Sequence, residues 1–259
     1  MPINYQFTMA LKALREVQAE LDQEPRQEQL LFPEVPDILA ELDPLPANSL
    51  LFGVAADGLP LLLNLRDAAT GPLLIVADQR GGKTSFLHFL ARAATRLLKS
   101  DAVRYAVLTA YPDEWRVFEK TAYCLEIASV HDQAALELLY ELACRAEAGG
   151  KGPALLLLFD GLDWAPRLDA TGQQNLRYLL ECGPQAGVWP IVTVNAARAP
   201  ELPDWMVMFH TRIFGRILQP GAAAELANQA DAGLNTLVRG AEFCLRQKSH
   251  WLRFWLPSL

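Results

Sequence analysis

One segment carries most of the information about this fold: LLIVADQRGGKTSFL, residues 73–87. Its apolar start predicts a short buried strand over Leu73–Ala77, and its end opens an amphipathic helix over Ser85–Lys99. Between them stands Gly82-Lys83-Thr84, the end of the pattern G-x-x-x-x-G-K-[ST], with Ala77 in the place of the first glycine. Glycine is favoured where φ is positive, and a residue in strand conformation has a negative φ. Alanine is therefore compatible with this position if the residue still belongs to the strand.

This segment predicts a binding loop for nucleotide phosphates. A glycine-rich loop at the start of a helix directs backbone N–H groups and the positive helix end at phosphate oxygens. Lys83 would then reach the β- and γ-phosphates of ATP, and the Thr84 hydroxyl would ligate Mg²⁺. Arg80 either contacts phosphate or points to solvent, and a chance GGKT in an ordinary strand–loop–helix joint is the alternative for the whole segment. The predicted cofactor-binding residues are Asp78, Gln79, Arg80, Gly81, Gly82, Lys83, Thr84 and Ser85.

A second apolar strand, Ala154–Phe159, is followed at once by a carboxylate, Asp160. A carboxylate at the carboxyl end of a parallel strand lies in the crevice where ligands bind, so Asp160 is the second predicted Mg²⁺ ligand beside Thr84. The alternative is an exposed aspartate at the end of a strand. The interval between Lys83 and Asp160 accommodates one strand–helix unit, which Val103–Ala148 supplies.

The residue after Asp160 is Gly161, which has no side chain to activate a water molecule. The nearest carboxylate is Asp163, and we predict it as a candidate catalytic base if the turn at Gly161 brings it inward. The alternative is that Asp163 caps the next helix or faces solvent.

Apolar strands alternate with helical segments through the rest of the chain, which predicts a mostly parallel α/β sheet with helices on both faces. A β-hairpin is predicted at each end of this region. Before this region we predict a helix over residues 5–24, which packs on its own domain or binds a partner, and then a proline-rich connector. We therefore divide the chain into residues 1–47 and a main domain, residues 48–259. The further predicted elements are Leu50–Ala55, Leu59–Leu65, Val103–Ala110, Ala134–Ala148, Gln173–Cys182, Pro190–Asn195, Ala241–Arg246 and Trp251–Leu256.

The composition excludes several classes of protein. Of 259 residues, 51% are hydrophobic and 20% are charged, which excludes wholesale disorder. The formal net charge of −7 argues against a protein that coats nucleic acid with a basic surface, but it does not exclude a local basic groove. No run approaches about 18 apolar residues, so no membrane span is expected. The four cysteines form no CxxC pair, which argues against a zinc or disulfide framework and favours the reducing cytoplasm.

In the order of its motifs, the region Leu50–Leu256 resembles the FtsK/HerA family of P-loop motor ATPases. The resemblance implies a RecA/ASCE-like P-loop NTPase fold with ATP and Mg²⁺ as cofactors. It also implies assembly into a homo-oligomer or with a partner ATPase subunit, and DNA as a candidate partner. Besides the phosphate loop and Asp160, the resemblance is carried by these segments: residues 51–65, Tyr111–Trp115, Leu138–Arg145, Glu181–Trp189, Ile191–Asn195, His210–Ile217 and Leu237–Leu245.

The resemblance implies two further catalytic residues. Asn195 stands at the polar sensor position, where it contacts the γ-phosphate or water, or only caps the strand end. Arg212 is the candidate arginine finger for a neighbour's nucleotide, with a salt bridge or a surface position as the alternative. Four residues depart from the family pattern, Ala77, Gly161, Pro184 and Asn195, and several of these departures fall on positions of hydrolysis and subunit signalling. We therefore expect a divergent member that binds ATP and hydrolyses it slowly or not at all.

Two alternatives to a motor ATPase stay open. The sequence Asp160-Gly161-Leu162-Asp163 is close to the acidic motif of the STAND and NACHT ATPases, which implies a nucleotide-dependent switch. The other alternative is a pseudo-ATPase scaffold that keeps the fold and assembles through the helix over residues 5–24.

Two apolar groups outside these motifs also have two interpretations each. One group, near residue 205, forms a patch for a partner or covers the core. The other group, in the final hairpin, stacks on nucleic-acid bases or packs the hairpin on the sheet. The first group is Trp205, Met206, Met208 and Phe209, and the second is Trp251, Phe254 and Trp255.

Overall fold

The computed structural model describes residues 48–229, 232–247 and 250–259. The predicted helix over residues 5–24, the connector and the proposed first domain, residues 1–47, lie outside the described residues. In the described part the strands are β1 (Ser49–Ala55), β2 (Pro60–Asn64), β3 (Leu73–Ala77), β4 (Val103–Thr109), β5 (Cys124–Ser129), β6 (Ala154–Asp160), β7 (Val188–Asn195), β8 (Thr211–Phe214), β9 (Glu242–Gln247) and β10 (His250–Trp255).

The helices of the same part are α1 (Lys83–Leu97), α2 (Arg116–Glu119), α3 (Gln133–Glu147), α4 (Ala170–Cys182), α5 (Pro203–Met206) and α6 (Pro220–Ala227). The helix after the phosphate loop thus begins at Lys83, two residues before the predicted start at Ser85. None of the helices within the described ranges combines the length and the apolar character that crossing a membrane requires.

The described strands form one ten-stranded sheet in the order β2-β1-β10-β9-β8-β3-β7-β6-β4-β5. Neighbouring strands are parallel from β8 to β5. They are antiparallel from β2 to β8, where the two predicted hairpins, β1–β2 and β9–β10, extend the sheet. This mostly parallel mixed sheet confirms the α/β fold class predicted from the sequence.

Helices cover both faces of the parallel half of the sheet. Phe86 of α1 packs in one core cluster with Leu158, and Leu139 of α3 packs in the other with Phe159. Successive residues of β6 therefore point alternately to the two clusters. Because both of its faces are buried, this strand is a continuous apolar run rather than an alternation of apolar and polar residues.

Two strands, β5 and β8, were not predicted from the sequence. Their sequences, CLEIAS and TRIF, are short or interrupted by polar residues, so they give no clear apolar run. β5 lies at an edge of the sheet, where Leu125 is 44% exposed. The interval between Lys83 and Asp160 therefore contains two strands, β4 and β5, rather than the single strand–helix unit expected.

Members of both apolar groups pack against the core, while Met208, Trp251 and Trp255 are only partly buried. Trp205, Met206 and Phe209 are buried in the core cluster of α3 and α4, so they cover the core rather than form a partner patch. In the final hairpin, Phe254 is buried and the ring of Trp251 lies 5.5 Å from that of Phe214. These contacts favour packing of the hairpin over base stacking.

Candidate functional site

The carboxyl ends of the neighbouring strands β3, β7 and β6 lie side by side, on the side of the sheet that we call the carboxyl edge. β7 separates the strand before the phosphate loop from the strand that ends in Asp160. The registers pair Ala77 with Asn195 and Asp160 with Thr193. Three distant parts of the sequence therefore meet where open α/β sheets bind their ligands.

The start of α1 contacts the end of β6 directly. The Thr84 hydroxyl donates a hydrogen bond of 2.7 Å to Oδ2 of Asp160. The Thr193 hydroxyl of β7 donates one of 2.7 Å to Oδ1 of the same carboxylate. The two predicted Mg²⁺ ligands, Thr84 and Asp160, are thus adjacent, and both present the hard oxygen atoms that this ion prefers. No sequence pattern pointed to a role for Thr193.

Lys83 lies over the loop that precedes it. Its ammonium donates hydrogen bonds to the carbonyl oxygens of Ala77, at 3.1 Å, and Asp78, at 2.8 Å. Burial lowers the pKa of Lys83 from its ordinary value. The carboxylates of Asp160, Asp78 and Asp163 raise the same pKa in part, so the ammonium sits among three negative charges.

The loop has the backbone geometry of a phosphate cradle. Gly82, directly before α1, has a φ of 90°, and a Cβ there would lie 2.4 Å from the Cα of Gly240. Only glycine fits this position without strain. No side chain caps the start of α1, so the first N–H groups of the helix are placed to receive an anion. Three residues of the predicted loop, Gln79, Arg80 and Ser85, are exposed.

Ala77 occupies the first-glycine position because its surroundings leave room for a methyl group. It is the last residue of β3 and does not adopt a positive φ, as the sequence analysis required. A Cβ placed on Gly81 or Gly215 would lie 2.8 or 2.9 Å from the Ala77 Cβ. The missing glycine is therefore accommodated by glycines at two neighbouring positions.

Two late segments of the chain support the loop from outside. Nε of Arg239 donates a hydrogen bond of 2.9 Å to the carbonyl oxygen of Arg80, which has a φ of 59°. The Asp78 carboxylate accepts one of 2.8 Å from the backbone N–H of Leu218, so it is engaged in holding the segment after β8. Neither contact leaves a signal in the sequence, because each joins residues far apart in the chain.

Asp163 follows the turn after β6 and interacts electrostatically with the loop lysine. Gly161 turns the chain with a φ of 116°, and Asp163 follows in the first turn of a 3₁₀ helix, Leu162–Arg167. Its carboxylate is near enough to Lys83 to raise the pKa of that ammonium in part. A Cβ at Gly161 would lie 2.8 Å from Cδ1 of Trp164, so a glutamate at this position would be strained.

Asn195 ends β7 beside Ala77, next to the loop. Its side-chain oxygen accepts a hydrogen bond of 3.1 Å from the backbone N–H of Ala197. The capping alternative is therefore observed for this oxygen, and the sensor role of the side-chain amide remains a prediction.

The structure does not bring Arg212 to the loop. In β8 it pairs with Leu74, three residues before the end of β3, which is about 10 Å from the carboxyl edge. Its guanidinium donates to backbone carbonyl oxygens of its own chain: Met206 at 2.9 Å, Phe209 at 3.3 Å and Leu226 at 3.5 Å. Within its own chain Arg212 therefore supports the ends of α5 and α6, and its role as an arginine finger for a neighbour's nucleotide stays a prediction.

Replacing Arg212 with methionine is expected to lower the free energy of unfolding by about 2 kcal/mol, because carbonyl groups at two helix ends lose a charged donor. Urea denaturation measures this change. Arg198→Met is the control, since exposed Arg198 pairs with Glu201 at 3.1 Å on the surface and should cost at most about 0.5 kcal/mol. Equal stability of the two variants would contradict the structural role of Arg212.

Comparison with solved structures supports the fold. EssC (ATPases 2 and 3) from Geobacillus thermodenitrificans superimposes with a TM-score of 0.66 at 13% identity, over 82% of this chain and 45% of that one. The cytoplasmic domain of the Type VII secretion ATPase EccC from Thermomonospora curvata gives 0.63 at 16% identity, over 82% of this chain and 29% of that one. The pCW3 conjugation coupling protein TcpA superimposes with a TM-score of 0.62 at 14% identity, over 82% of this chain and 66% of that one.

These likenesses show the fold alone. The chain has the P-loop ATPase fold, and it spans only 29% and 45% of the two longer ATPase chains, EccC and EssC. No family model and no curated protein sequence matches it. What the chain binds and does must therefore be argued from its own residues.

Proposed function

We propose that this chain binds ATP with Mg²⁺ at the loop Asp78–Ser85 and hydrolyses it slowly, as a divergent FtsK/HerA-like ATPase that works in an oligomer. The proposal is carried by the hydrogen bond of 2.7 Å between Thr84 and Asp160, which joins the loop to the acidic strand end. Lys83 lies within the same cluster of charges.

The residues present fit a triphosphate and its metal ion. Gly82 shapes the loop, and the uncapped start of α1 offers N–H donors to phosphate oxygens. The Lys83 ammonium, which now contacts the carbonyl oxygens of Ala77 and Asp78, would bind phosphate oxygens, and the Thr84 hydroxyl and the Asp160 carboxylate would hold the metal ion. Bound Mg²⁺ would neutralise phosphate charge.

Slow hydrolysis follows from the turn after β6. Gly161 provides no carboxylate next to Asp160, and its positive φ disfavours any larger residue. Asp163, which is partly buried and near Lys83, is the acidic side chain that takes the role of base in the proposal. A base in this less direct position orients water less well, and every 1.36 kcal/mol added to the barrier slows the reaction about tenfold.

Two measurements on the purified full chain test the function. Isothermal titration with ATP and Mg²⁺ is expected to show binding, and steady-state phosphate release is expected to be slow but above background. Binding without phosphate release supports the pseudo-ATPase scaffold instead. No binding at millimolar nucleotide contradicts the proposal altogether.

Asp163→Asn is expected to reduce phosphate release about 100-fold, because an amide cannot accept the proton of the attacking water. The affinity for ATP should stay within about threefold, since Asp163 contributes repulsion rather than a bond to the phosphates. Asp113→Asn is the matched control, because exposed Asp113 pairs with Arg116 on the surface. An unchanged rate in Asp163→Asn would exclude it as the base.

The proposed use of the energy is DNA translocation. The names of two proteins of similar fold point to nucleic acid: the conjugation coupling protein TcpA, and the genome packaging NTPase B204 of Sulfolobus turreted icosahedral virus 2, with a TM-score of 0.50 at 13% identity. Another, EccC, was solved with a signal sequence peptide. Stimulation of phosphate release by duplex DNA, with ATP-dependent oligomers in light scattering, is the expected result. Stimulation by a peptide alone would assign a protein cargo.

The second candidate is the nucleotide-dependent switch, because that alternative gives Asp163 a part in the site and the Asp163 carboxylate acts electrostatically on Lys83. A switch would retain ADP after a single turnover and would not respond to DNA. Single-turnover measurements with labelled ATP distinguish the two, since a motor releases ADP in each cycle.

A further inference from the structure

Three serine or threonine residues are buried among the described residues: Ser49, Thr109 and Thr193. Two of them flank Asp160 across the sheet, because β4 pairs Thr109 with Asp160 on one side and β7 pairs Thr193 with it on the other. A buried hydroxyl without a partner costs free energy, so each is expected to make a hydrogen bond.

The two threonines use their hydroxyls differently. Thr193, 1% exposed, donates to Oδ1 of Asp160 at 2.7 Å. The Thr109 hydroxyl accepts a hydrogen bond of 3.1 Å from the backbone N–H of Tyr111. The observed hydrogen bonds therefore connect Thr193, and not Thr109, to the carboxylate.

The position of Thr193 does not by itself require a hydroxyl. Ile191, on the same face of β7, is apolar and buried, and valine has nearly the same shape as threonine. What the hydroxyl adds is a donor to a carboxylate, and hydrogen bonds to charged groups are stronger than neutral ones. The side chain is β-branched and stiff, so this donor is fixed in direction.

The two oxygens of Asp160 are divided between two threonines. Oδ2 receives the Thr84 hydroxyl and Oδ1 receives the Thr193 hydroxyl. In the proposed function Thr84 would ligate the metal ion, and Thr193 would then be the hydroxyl that still holds Asp160 in place. The contact comes from β7, which lies between the strands of the loop and of Asp160.

We propose that Thr193 is a positioning residue, which fixes the Asp160 carboxylate in the orientation that holds Mg²⁺ beside the phosphates. This inference rests on the proposed function. Residues that orient a metal ligand typically change metal affinity about 10- to 100-fold when they are replaced.

The test compares Thr193→Val, Thr193→Ser and the matched control Thr109→Val. ATP binding is titrated by calorimetry once with Mg²⁺ and once with EDTA, and the ratio of the two affinities measures the gain from the metal. Thr193→Val should reduce this gain about 10- to 100-fold and leave the affinity in EDTA within about threefold. Thr193→Ser should restore the gain, and Thr109→Val should keep it.

Two results would overturn the inference: a full gain from Mg²⁺ in Thr193→Val, or an equal loss of affinity with and without the metal. The second would mean that the threonine only supports the fold. If Thr193→Val does not fold, Thr193→Cys, with a weaker donor of similar size, is expected to show the same loss. Failure of the proposed function is distinct, because the wild type would then bind no ATP under either condition.

Discussion

Lys83→Ala is expected to abolish ATP binding at nucleotide concentrations that saturate the wild type. The ammonium lies within 3.1 Å of two loop carbonyl oxygens, Ala77 and Asp78, where phosphate oxygens would take their place. Its removal also leaves the carboxylates of Asp160 and Asp163 near the phosphates without a balancing charge. A loss of about 3 kcal/mol, or more than about 100-fold in Kd, follows.

Isothermal titration with ATP and Mg²⁺ measures this loss. Lys99→Ala is the matched control, because exposed Lys99 follows the opposite end of the same helix, α1, and should leave the affinity unchanged. A melting temperature close to that of the wild type shows that the fold is kept. Retained micromolar binding in Lys83→Ala would contradict the assignment of the loop.

Asp160→Asn is expected to separate the metal-dependent part of ATP binding from the rest. The asparagine keeps the shape and one acceptor oxygen, but it removes the charge that would hold Mg²⁺. With Mg²⁺, the affinity should fall about 100-fold, and phosphate release should fall at least as far. With EDTA, the affinity should stay the same or rise, because a negative charge that repels the triphosphate is gone.

This opposite response is the decisive feature, since a variant that is merely unstable would lose affinity under both conditions. Calorimetry with each of the two buffers measures it. Asp101→Asn, an exposed carboxylate before β4 at the other edge of the sheet, is the control and should behave as the wild type. Equal losses in Mg²⁺ and EDTA would argue against Asp160 as a metal ligand.

The strands and helices that position the site could be predicted because their signals are local. β3 and β6 are continuous apolar runs, since both of their faces are buried, and glycines with a lysine and a threonine mark the loop between β3 and α1. β5 and β8 escaped prediction for the opposite reason. One is a half-exposed edge strand and the other has four residues, so neither shows the pattern of a buried strand.

The roles of single side chains were harder to predict than the fold. The motif order predicts Arg212 as an arginine finger for a neighbour's nucleotide, and the register of β8 against β3 shows only that it lies away from the loop of its own chain. Its guanidinium binds carbonyl oxygens at the ends of α5 and α6, which pack there only in the folded chain. Arg239 and its contact with Arg80 join residues that are distant in the sequence and carry no pattern.

The amino-acid order alone determined the buried parallel strands, the glycine-lysine-threonine loop and the acidic end of β6, because apolar periodicity and loop composition act over a few neighbouring residues. Only the tertiary structure decided that Thr193 lies beside Asp160, that Gly81 and Gly215 make room for the methyl of Ala77, and that Arg212 supports helix ends. Each of these depends on strand register and close packing between distant segments, which a local pattern does not encode.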